Sequence, residues 1–231
     1  MKCIIVEDLP MVLESYELVM RQSSWISEIV TATTAGDALA LASERNFQLA
    51  CLDIDLPDMD GFELSGKLNA LNPGLRTIAV TSFQEPYVLY EVRRSPYFIG
   101  YVGKTEASSN ILLEAVDTVC RGHQYYSPSV AQRYEEDRER VRIMYHQLTP
   151  NDLEYCSYMA AGLADEEIAA HLGRSVHTVR GQRSKLVRRL QINGSRELTA
   201  AALRLGLVRP SQIESIYKAV RGEDPIDIFK P

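Results

Sequence analysis

One acidic run, Leu49–Gly61 (LACLDIDLPDMDG), constrains the fold of this chain more than any other segment. Its first four residues are apolar, a length that suits a buried strand and is too short for a helix. Four aspartates follow, which are Asp53, Asp55, Asp58 and Asp60. The turn-forming residues Pro57 and Gly61 lie among them. Carboxylates at the carboxyl end of a buried strand lie where open α/β sheets bind their ligands. The run therefore predicts a strand that leads into a ligand-binding loop.

A second acidic pair, Glu7 and Asp8, follows the apolar run Cys3–Val6 near the amino terminus. Clustered negative charge is unfavourable unless a cation offsets it. Mg2+ is a hard cation that takes a few carboxylate oxygens and keeps several waters. Two strand ends that both carry acids therefore predict one shared Mg2+ site.

Short apolar runs alternate with helical patterns through the first 121 residues. The helical patterns are Met11–Met20, Asp37–Arg45, Phe62–Leu71, Tyr87–Arg94 and Ser108–Arg121. Such alternation is typical of a parallel sheet that is covered by helices on both faces. Five repeats predict an α/β domain, a flavodoxin-like doubly wound five-stranded sheet with the acidic pocket at its switch point.

These landmarks resemble the receiver domain of two-component response regulators over residues 1–121. Val6–Asp8 resembles the acidic metal-binding pair, and Asp53 matches the phosphoacceptor. Two later apolar runs, AVTSF (Ala79–Phe83) and GYVGK (Gly100–Lys104), supply the remaining landmarks: Thr81, Tyr101 and Lys104.

The resemblance implies that a sensor histidine kinase donates a phosphoryl group to Asp53. It also implies that Mg2+ is held by three carboxylates and one backbone carbonyl: those of Glu7, Asp8 and Asp53, and that of Asp55. Lys104 would pair with the phosphoryl group and Thr81 would bind the new phosphate. Tyr101 would act as the switch by filling the gap that Thr81 leaves, or it would simply pack at the strand end.

An enzyme is the competing interpretation of the same acids. Asp53 and Asp55 also resemble the aspartate pair of haloacid-dehalogenase-type phosphohydrolases. That family places the pair on its first strand, whereas here the pair follows the third apparent strand and Pro57 stands in a later position of the motif. We therefore expect a regulator that is not an enzyme.

Charge is distributed unevenly along the 231 residues. Residues 1–121 carry 9 basic and 17 acidic side chains, and residues 148–221 carry 11 basic and 7 acidic ones. An acidic half joined to a basic half indicates that only the second half meets a polyanion. The predicted organisation is a receiver domain at 1–121, a helical linker at 122–147, an all-α DNA-binding domain at 148–208 and a C-terminal extension at 209–231.

A helix-turn-helix signal lies in the basic half. Asp165–Leu172 predicts a short helix that ends at Gly173, and Ser175 begins a longer basic helix that runs to Leu190. A short helix, a glycine turn and a longer basic helix are typical of this motif. Residues 146–208 resemble the LuxR-type DNA-binding domain of NarL/FixJ regulators in their spacing, which includes Leu148–Pro150 and Thr178–Arg180.

This second resemblance implies binding of double-stranded DNA through the longer helix. The candidate contact residues are Arg180, Gly181, Arg183, Ser184, Lys185 and Arg188. Arg180 can bond both acceptors of a guanine in the major groove, while Arg183 and Arg188 can neutralise phosphates. Gly181 and Ser184 stand where the family commonly has larger side chains, so base preference is left open.

The predicted linker helix, Ser129–Gln147, carries an apolar stripe from Val130 to Leu148 at alternating steps of four and three residues. This is coiled-coil spacing. The stripe either packs against its own domains or forms the seam of a homodimer.

Four cysteines without metal-ligand spacing, no signal-peptide pattern and no membrane-spanning run predict a cytoplasmic protein. The expected partners are double-stranded DNA, a sensor histidine kinase, a second copy of the chain and RNA polymerase, with no membrane. The main expectation is a transcription factor controlled by phosphorylation. The alternative is a phosphorylation-independent regulator that acts through protein contacts or constitutive dimerisation, because Arg93–Phe98 is unusually bulky.

Overall fold

The computed structural model describes residues 1–83 and 85–221, which divide into two compact units. The first unit consists of the residues up to 83 together with Leu89–Glu136. The second consists of Glu85–Val88 together with the chain from Asp137 onward. The segment EDPIDIF, which the sequence left open as a tail or a docking segment, lies outside the described residues.

A six-stranded parallel sheet forms the centre of the first unit. Its strands are Lys2–Val6 (β1), Glu28–Ala32 (β2), Leu49–Leu52 (β3), Arg76–Thr81 (β4), Phe98–Gly103 (β5) and Tyr125–Tyr126 (β6). Their order across the sheet is β2-β1-β3-β4-β5-β6. The doubly wound α/β prediction is confirmed, and the predicted count of five strands is one too few. The sixth strand has two residues and lies in the predicted linker, where so short a run gives no pattern.

Five helices follow the first five strands. Their bounds are Pro10–Met20 (α1), Ala35–Glu44 (α2), Gly61–Leu71 (α3), Pro86–Arg94 (α4) and Ser109–Cys120 (α5). β1, β3, β4 and β5 are parallel neighbours, so their carboxyl ends lie at one edge of the sheet. The polar residues that follow these four strands therefore meet at that edge.

The second unit is helical. Its elements are the end of α6 (Pro128–Gln147), α7 (Pro150–Ala160), α8 (Asp165–Leu172), α9 (Val176–Arg189), α10 (Leu198–Leu205) and α11 (Pro210–Arg221). Ile168 on α8 and Val179 and Leu186 on α9 are fully buried in the core that these helices share. No helix in the described ranges is long and apolar enough to cross a membrane.

Three of the six positions of the apolar stripe between Val130 and Leu148 are buried within the single chain. Val130, Val141 and Leu148 are 1%, 2% and 9% exposed, so these positions are already packed. Of the two interpretations of the stripe, burial therefore favours packing within the chain over a coiled-coil seam.

Candidate functional site

Asp53 is the first residue after β3, and hydrogen bonds with nearby backbone groups fix its position. Its amide donates to the Val6 carbonyl at 2.9 Å, which fixes it beside the end of β1. Its Oδ1 accepts hydrogen bonds from the amides of Ile54 at 2.6 Å and Asp55 at 3.4 Å. The side chain is buried apart from a small exposed fraction. Oδ2 is therefore the oxygen that remains directed toward the other residues of the site.

Lys104 lies at the centre of the acidic pocket. Its Nζ is 2.7 Å from Asp53 Oδ2, and it lies 2.8 Å and 2.7 Å from the two carboxylate oxygens of Glu7. Burial acts to lower the pKa of Lys104, but the hydrogen bonds that its ammonium donates to the two carboxylates outweigh burial and raise that pKa. Burial likewise raises the pKa of Glu7, against the opposing effect of Lys104. One ammonium group thus offsets two nearly buried carboxylates.

The pocket also offers the ligand set of a hard cation. Glu7, Asp8 and Asp53 each present a carboxylate oxygen, and these oxygens lie within 4.8 Å of one another. Glu7 Oε2 is buried and accepts no well-aligned hydrogen bond, although the Lys104 ammonium is close to it. Three carboxylates share this pocket with one ammonium group, and a divalent cation would offset the remaining negative charge. The three carboxylates therefore fit Mg2+, and the Asp55 carbonyl stays a predicted ligand.

Two of the four aspartates in the acidic run are helix caps. Asp58 accepts hydrogen bonds at 2.9 Å and 2.8 Å from the first two amides of α2. Asp60 accepts one at 2.8 Å from Phe62 and so caps α3. Both carboxylates satisfy amides that a helix start leaves unpaired. The negative charge of the run is therefore divided between the site and the ends of two helices.

Gly61 holds the loop that carries Asp53. Its amide donates to the Ile54 carbonyl at 2.8 Å, which folds the start of α3 back against the loop. A Cβ at position 61 would lie 2.6 Å from both the Ile54 Cα and the Asp53 carbonyl oxygen. Since backbone atoms cannot move aside as a side chain tip does, only glycine permits this close approach.

Thr81 and Tyr101 both bond to the backbone of Phe83. The Phe83 amide donates to Thr81 Oγ1 at 3.3 Å, and the Tyr101 hydroxyl donates to the Phe83 carbonyl. Thr81 ends β4, and both side chains are fully buried. Through the backbone of Phe83, the loop after β4 is thus hydrogen-bonded both to the end of β4 and to the middle of β5.

The loop after Lys104 contains a functional candidate that the sequence did not suggest. Glu106 accepts hydrogen bonds from the Ser127 hydroxyl and from the amide and hydroxyl of Ser129, the last two at 3.2 Å and 2.6 Å. Ser127 in turn accepts from the Gly103 amide at 3.2 Å. The start of α6 is therefore bonded to the loop that carries Lys104. In the sequence, the only signal of a helix start at this position is the pair of serines on either side of Pro128.

The helices α8 and α9 form a helix-turn-helix. Gly173 ends α8 in the left-handed conformation with φ of 61°, and Ser175 caps α9 by accepting from the Thr178 amide at 3.1 Å. Val179 and Leu186 turn into the core. Arg180, Gly181, Ser184 and Arg188 are exposed on the outer side of α9. Among the described residues Arg188 has no ion-pair partner.

Two predicted DNA contacts are engaged elsewhere in the domain. Arg183 is 22% exposed and donates to Asp165 of α8 from Nε at 2.9 Å and from Nη2 at 2.7 Å. Lys185 lies 3.9 Å from the buried Asp152 of α7, which also receives the guanidinium of Arg189. These contacts join α9 to its neighbours in the free chain, and contact of Arg183 and Lys185 with DNA stays a prediction.

Comparison with known proteins agrees with both halves of this description. The sequence model of the response regulator receiver domain matches residues 3–116. The chain is 32% identical to the transcriptional regulatory protein UhpA of Salmonella typhimurium over 162 residues, 70% of this chain and 77% of that protein. It is 24% identical to the response regulator protein VraR of Staphylococcus aureus over 208 residues, 90% of this chain and 99% of that one.

A solved structure is similar over most of the chain. The response regulator RcsB in complex with DNA aligns with a TM-score of 0.60 and 22% identity, and the alignment covers 89% of this chain and 98% of that one. At this identity the likeness shows the fold, and it extends through the helical second unit.

Proposed function

The chain belongs to the NarL/FixJ family of two-component response regulators, and we propose that phosphorylation of Asp53 by a sensor histidine kinase controls its binding to DNA. The observation that carries the proposal is the position of the Asp53 carboxylate. It lies at the carboxyl end of β3 with a lysine ammonium 2.7 Å away. A carboxylate nucleophile and a neighbouring cation are what transfer of a phosphoryl group to an acid requires.

Each residue of the pocket has a separate task in this proposal. Asp53 Oδ2 attacks the phosphorus of the donor, and an acyl phosphate forms as the leaving group departs in line. Lys104 moves from the carboxylates to the phosphoryl oxygens and offsets their charge as a point cation. The Thr81 hydroxyl donates a hydrogen bond to one of those oxygens. Mg2+, held by Glu7, Asp8 and Asp53 with the Asp55 carbonyl, would neutralise the oxygens of the transferring group.

The same residues offer a route from phosphate to the rest of the receiver. When the Thr81 hydroxyl turns to a phosphate it can no longer hold the Phe83 amide in its present geometry. Phe83 is also the acceptor of the Tyr101 hydroxyl, so the loop after β4 and Tyr101 respond together. A ligand shifts a conformational equilibrium only through contacts that differ between the states, and these two hydrogen bonds are such contacts.

DNA binding is assigned to the outer face of α9. Arg180 would read a guanine edge, Arg188 and Ser184 would contact phosphates, and Gly181 would let the helix approach the groove closely. The relative RcsB was solved as a DNA complex and as dimers bound to DNA, which supports DNA and a second copy of the chain as partners. RNA polymerase is a further proposed partner, as for other transcriptional regulators.

A labelling experiment tests the phosphoacceptor. The wild-type chain is incubated with a radioactive small phosphodonor and Mg2+, and borohydride reduction then converts an acyl phosphate to homoserine, which mass spectrometry locates. Label should appear at Asp53 and should be absent from Asp53→Asn, which keeps the shape and removes the nucleophile. Glu63→Gln, which removes an exposed acid on α3, is the control and should be labelled normally. Label on another residue of the Asp53→Asn chain would overturn the assignment.

A second candidate function keeps the fold and omits the phosphate. It is favoured by Tyr101, which is already fully buried with its hydroxyl bonded inside the receiver, as an active switch residue would be. The second observation concerns Arg93, the first residue of the bulky segment Arg93–Phe98 on which this alternative was based. Its guanidinium lies over the rings of Tyr126 and Tyr134, at 5.2 Å and 4.4 Å from their centres.

Sedimentation with and without the phosphodonor separates the two candidates. A monomer that becomes a dimer, together with tighter DNA binding, supports control by phosphorylation, since two modules on adjacent half-sites gain through effective concentration. A dimer of equal DNA affinity under both conditions supports the phosphorylation-independent regulator.

A further inference from the structure

Three consecutive acids, Asp165–Glu167, begin α8, the first helix of the helix-turn-helix. Glu167 accepts the amide of the residue before the helix at 2.7 Å, and it holds Arg221 of α11 through bonds of 2.7 Å and 2.9 Å. Asp165 receives both Nε and Nη2 of Arg183. These two carboxylates therefore join α8 to α11 and to α9 and have a clear role in packing.

Glu166 differs from its neighbours. Its side chain is 63% exposed, and its carboxylate lies 3.1 Å from Nη2 of Arg180, which is itself 64% exposed. Nε of the same guanidinium also lies 3.5 Å from Asp165, so Glu166 is the nearer of two carboxylates that pair with Arg180. An exposed ion pair of this kind contributes little to folding. Glu166 is thus the acid of this turn whose contact is not explained by the packing of the domain.

The position of Glu166 also opposes DNA binding. In helix-turn-helix proteins the first helix crosses the phosphate backbone, while the N-terminal part of the second helix contacts the bases. A carboxylate in the first turn of α8 therefore faces phosphates, and it also occupies the guanidinium that the proposed function assigns to a base. A residue with these two effects weakens binding to every DNA sequence unless a particular base pair compensates for it.

We propose that Glu166 is a specificity-determining residue, which holds the Arg180 guanidinium until a guanine edge replaces its carboxylate. This inference rests on the proposed function, DNA binding through α9. On DNA without the matching base, Arg180 stays on Glu166 and adds no phosphate contact. At a matching site, guanine O6 and N7 accept the two hydrogen bonds in place of the carboxylate. Glu166 therefore lowers non-specific affinity more than specific affinity.

The test uses the full chain and two DNA probes. One is a duplex that the wild-type chain selects from a random library, and the other is a scrambled duplex of the same composition. Fluorescence anisotropy measures affinity for both over a range of salt concentrations. Glu166→Gln keeps the size of the side chain and removes its charge. Glu214→Gln is the matched control, because it removes a similarly exposed acid that pairs at 2.9 Å with Lys218 on α11.

Glu166→Gln should bind the scrambled duplex roughly two- to fivefold more tightly, the factor that corresponds to losing an exposed ion pair. The salt dependence of that binding should steepen by about 0.9 in log–log slope, since Arg180 gains one phosphate contact. The gain on the selected duplex should be smaller, so discrimination falls. Glu214→Gln should behave as the wild type on both probes.

A second arm places Glu166→Gln in an Arg180→Ala background, where the proposal expects only a smaller gain, equal on both duplexes, from removing a charge near the phosphates. With Arg180 present, a gain that is equal on both duplexes, or no larger than the gain without Arg180, would mean simple repulsion of DNA by charge and would overturn the inference. A wild-type chain that selects no duplex would instead overturn the proposed function and this inference with it. A wild-type chain that selects DNA while Glu166→Gln leaves both affinities unchanged would overturn the inference alone.

Discussion

Replacing Lys104 with methionine tests the electrostatics of the acidic pocket. The Lys104 side chain is 16% exposed. Its Nζ lies within 2.8 Å of two carboxylates that are almost completely buried. Removing one partner of a buried ion pair leaves the other charge uncompensated and costs about 3–5 kcal/mol. Since Lys104 is not fully buried, we expect the lower end of that range in a metal-free buffer.

Magnesium should reverse part of this loss. Without the ammonium, Glu7 and Asp53 repel each other, and a divalent cation offsets both charges at once. A ligand that binds only the folded state at 100 times its Kd adds about 2.7 kcal/mol of stability. We therefore expect the deficit of Lys104→Met to shrink markedly in excess Mg2+, because the variant should bind the cation more tightly than the wild type.

The pH dependence has a definite sign. The pKa of Glu7 is raised by burial even with Lys104 beside it, and it should rise further in the variant. A carboxyl whose pKa is higher in the folded state destabilises that state as the pH rises above the unfolded value of about 4.3. The deficit of Lys104→Met should therefore be largest at neutral pH and should diminish as Glu7 takes up a proton.

Urea unfolding followed by tryptophan fluorescence measures these effects in the receiver alone. Trp25 is the one tryptophan of the sequence, and its indole donates to Asp117 at 2.9 Å within the first unit. Lys67→Met is the matched control, because Lys67 forms an exposed pair with Glu63 at 2.8 Å and should cost less than about 1 kcal/mol. The reasoning is refuted if Lys104→Met unfolds like the wild type in EDTA, or if Mg2+ leaves its deficit unchanged.

Three further predictions concern single side chains. Gly61→Ala should destabilise the receiver by about 1–3 kcal/mol and weaken Mg2+ binding, since its methyl group meets the Ile54 backbone; Trp25 fluorescence and a Mg2+ titration measure both. The pKa of Glu106 is lowered because the hydrogen bonds that its carboxylate accepts outweigh the effect of burial. Glu106→Ala should therefore reduce the protection of backbone amides at the start of α6 from hydrogen exchange. The difference in protection between the variant and the wild type should disappear as the pH falls through the pKa of Glu106. Gly181→Ala should stabilise the second unit by about 1 kcal/mol in thermal unfolding, because the added methyl group meets no other part of the chain within 4 Å and alanine has the higher helix propensity.

The sequence by itself determined the order and type of the elements. Apolar runs of four to six residues cannot form helices of useful length, and the helical patterns between them leave a parallel sheet as the arrangement that buries both. The same logic placed Asp53, Thr81 and Lys104 at strand ends, and those strands end at one edge of the sheet. The two-residue β6 was missed because it has no periodicity to detect.

Only the tertiary structure decided which charges act at a site and which hold the fold. Asp53 and Asp58 are alike in sequence, yet one faces Lys104 and the other caps α2. Arg180 and Arg183 also differ in burial, although three residues along a helix leave their side chains only about 60° apart. Arg183 is 22% exposed and lies 2.7 Å from Asp165, whereas Arg180 is 64% exposed, lies 3.5 Å from Asp165 and pairs at 3.1 Å with Glu166. Pairings of this kind join residues far apart in the chain, and local sequence patterns do not encode them.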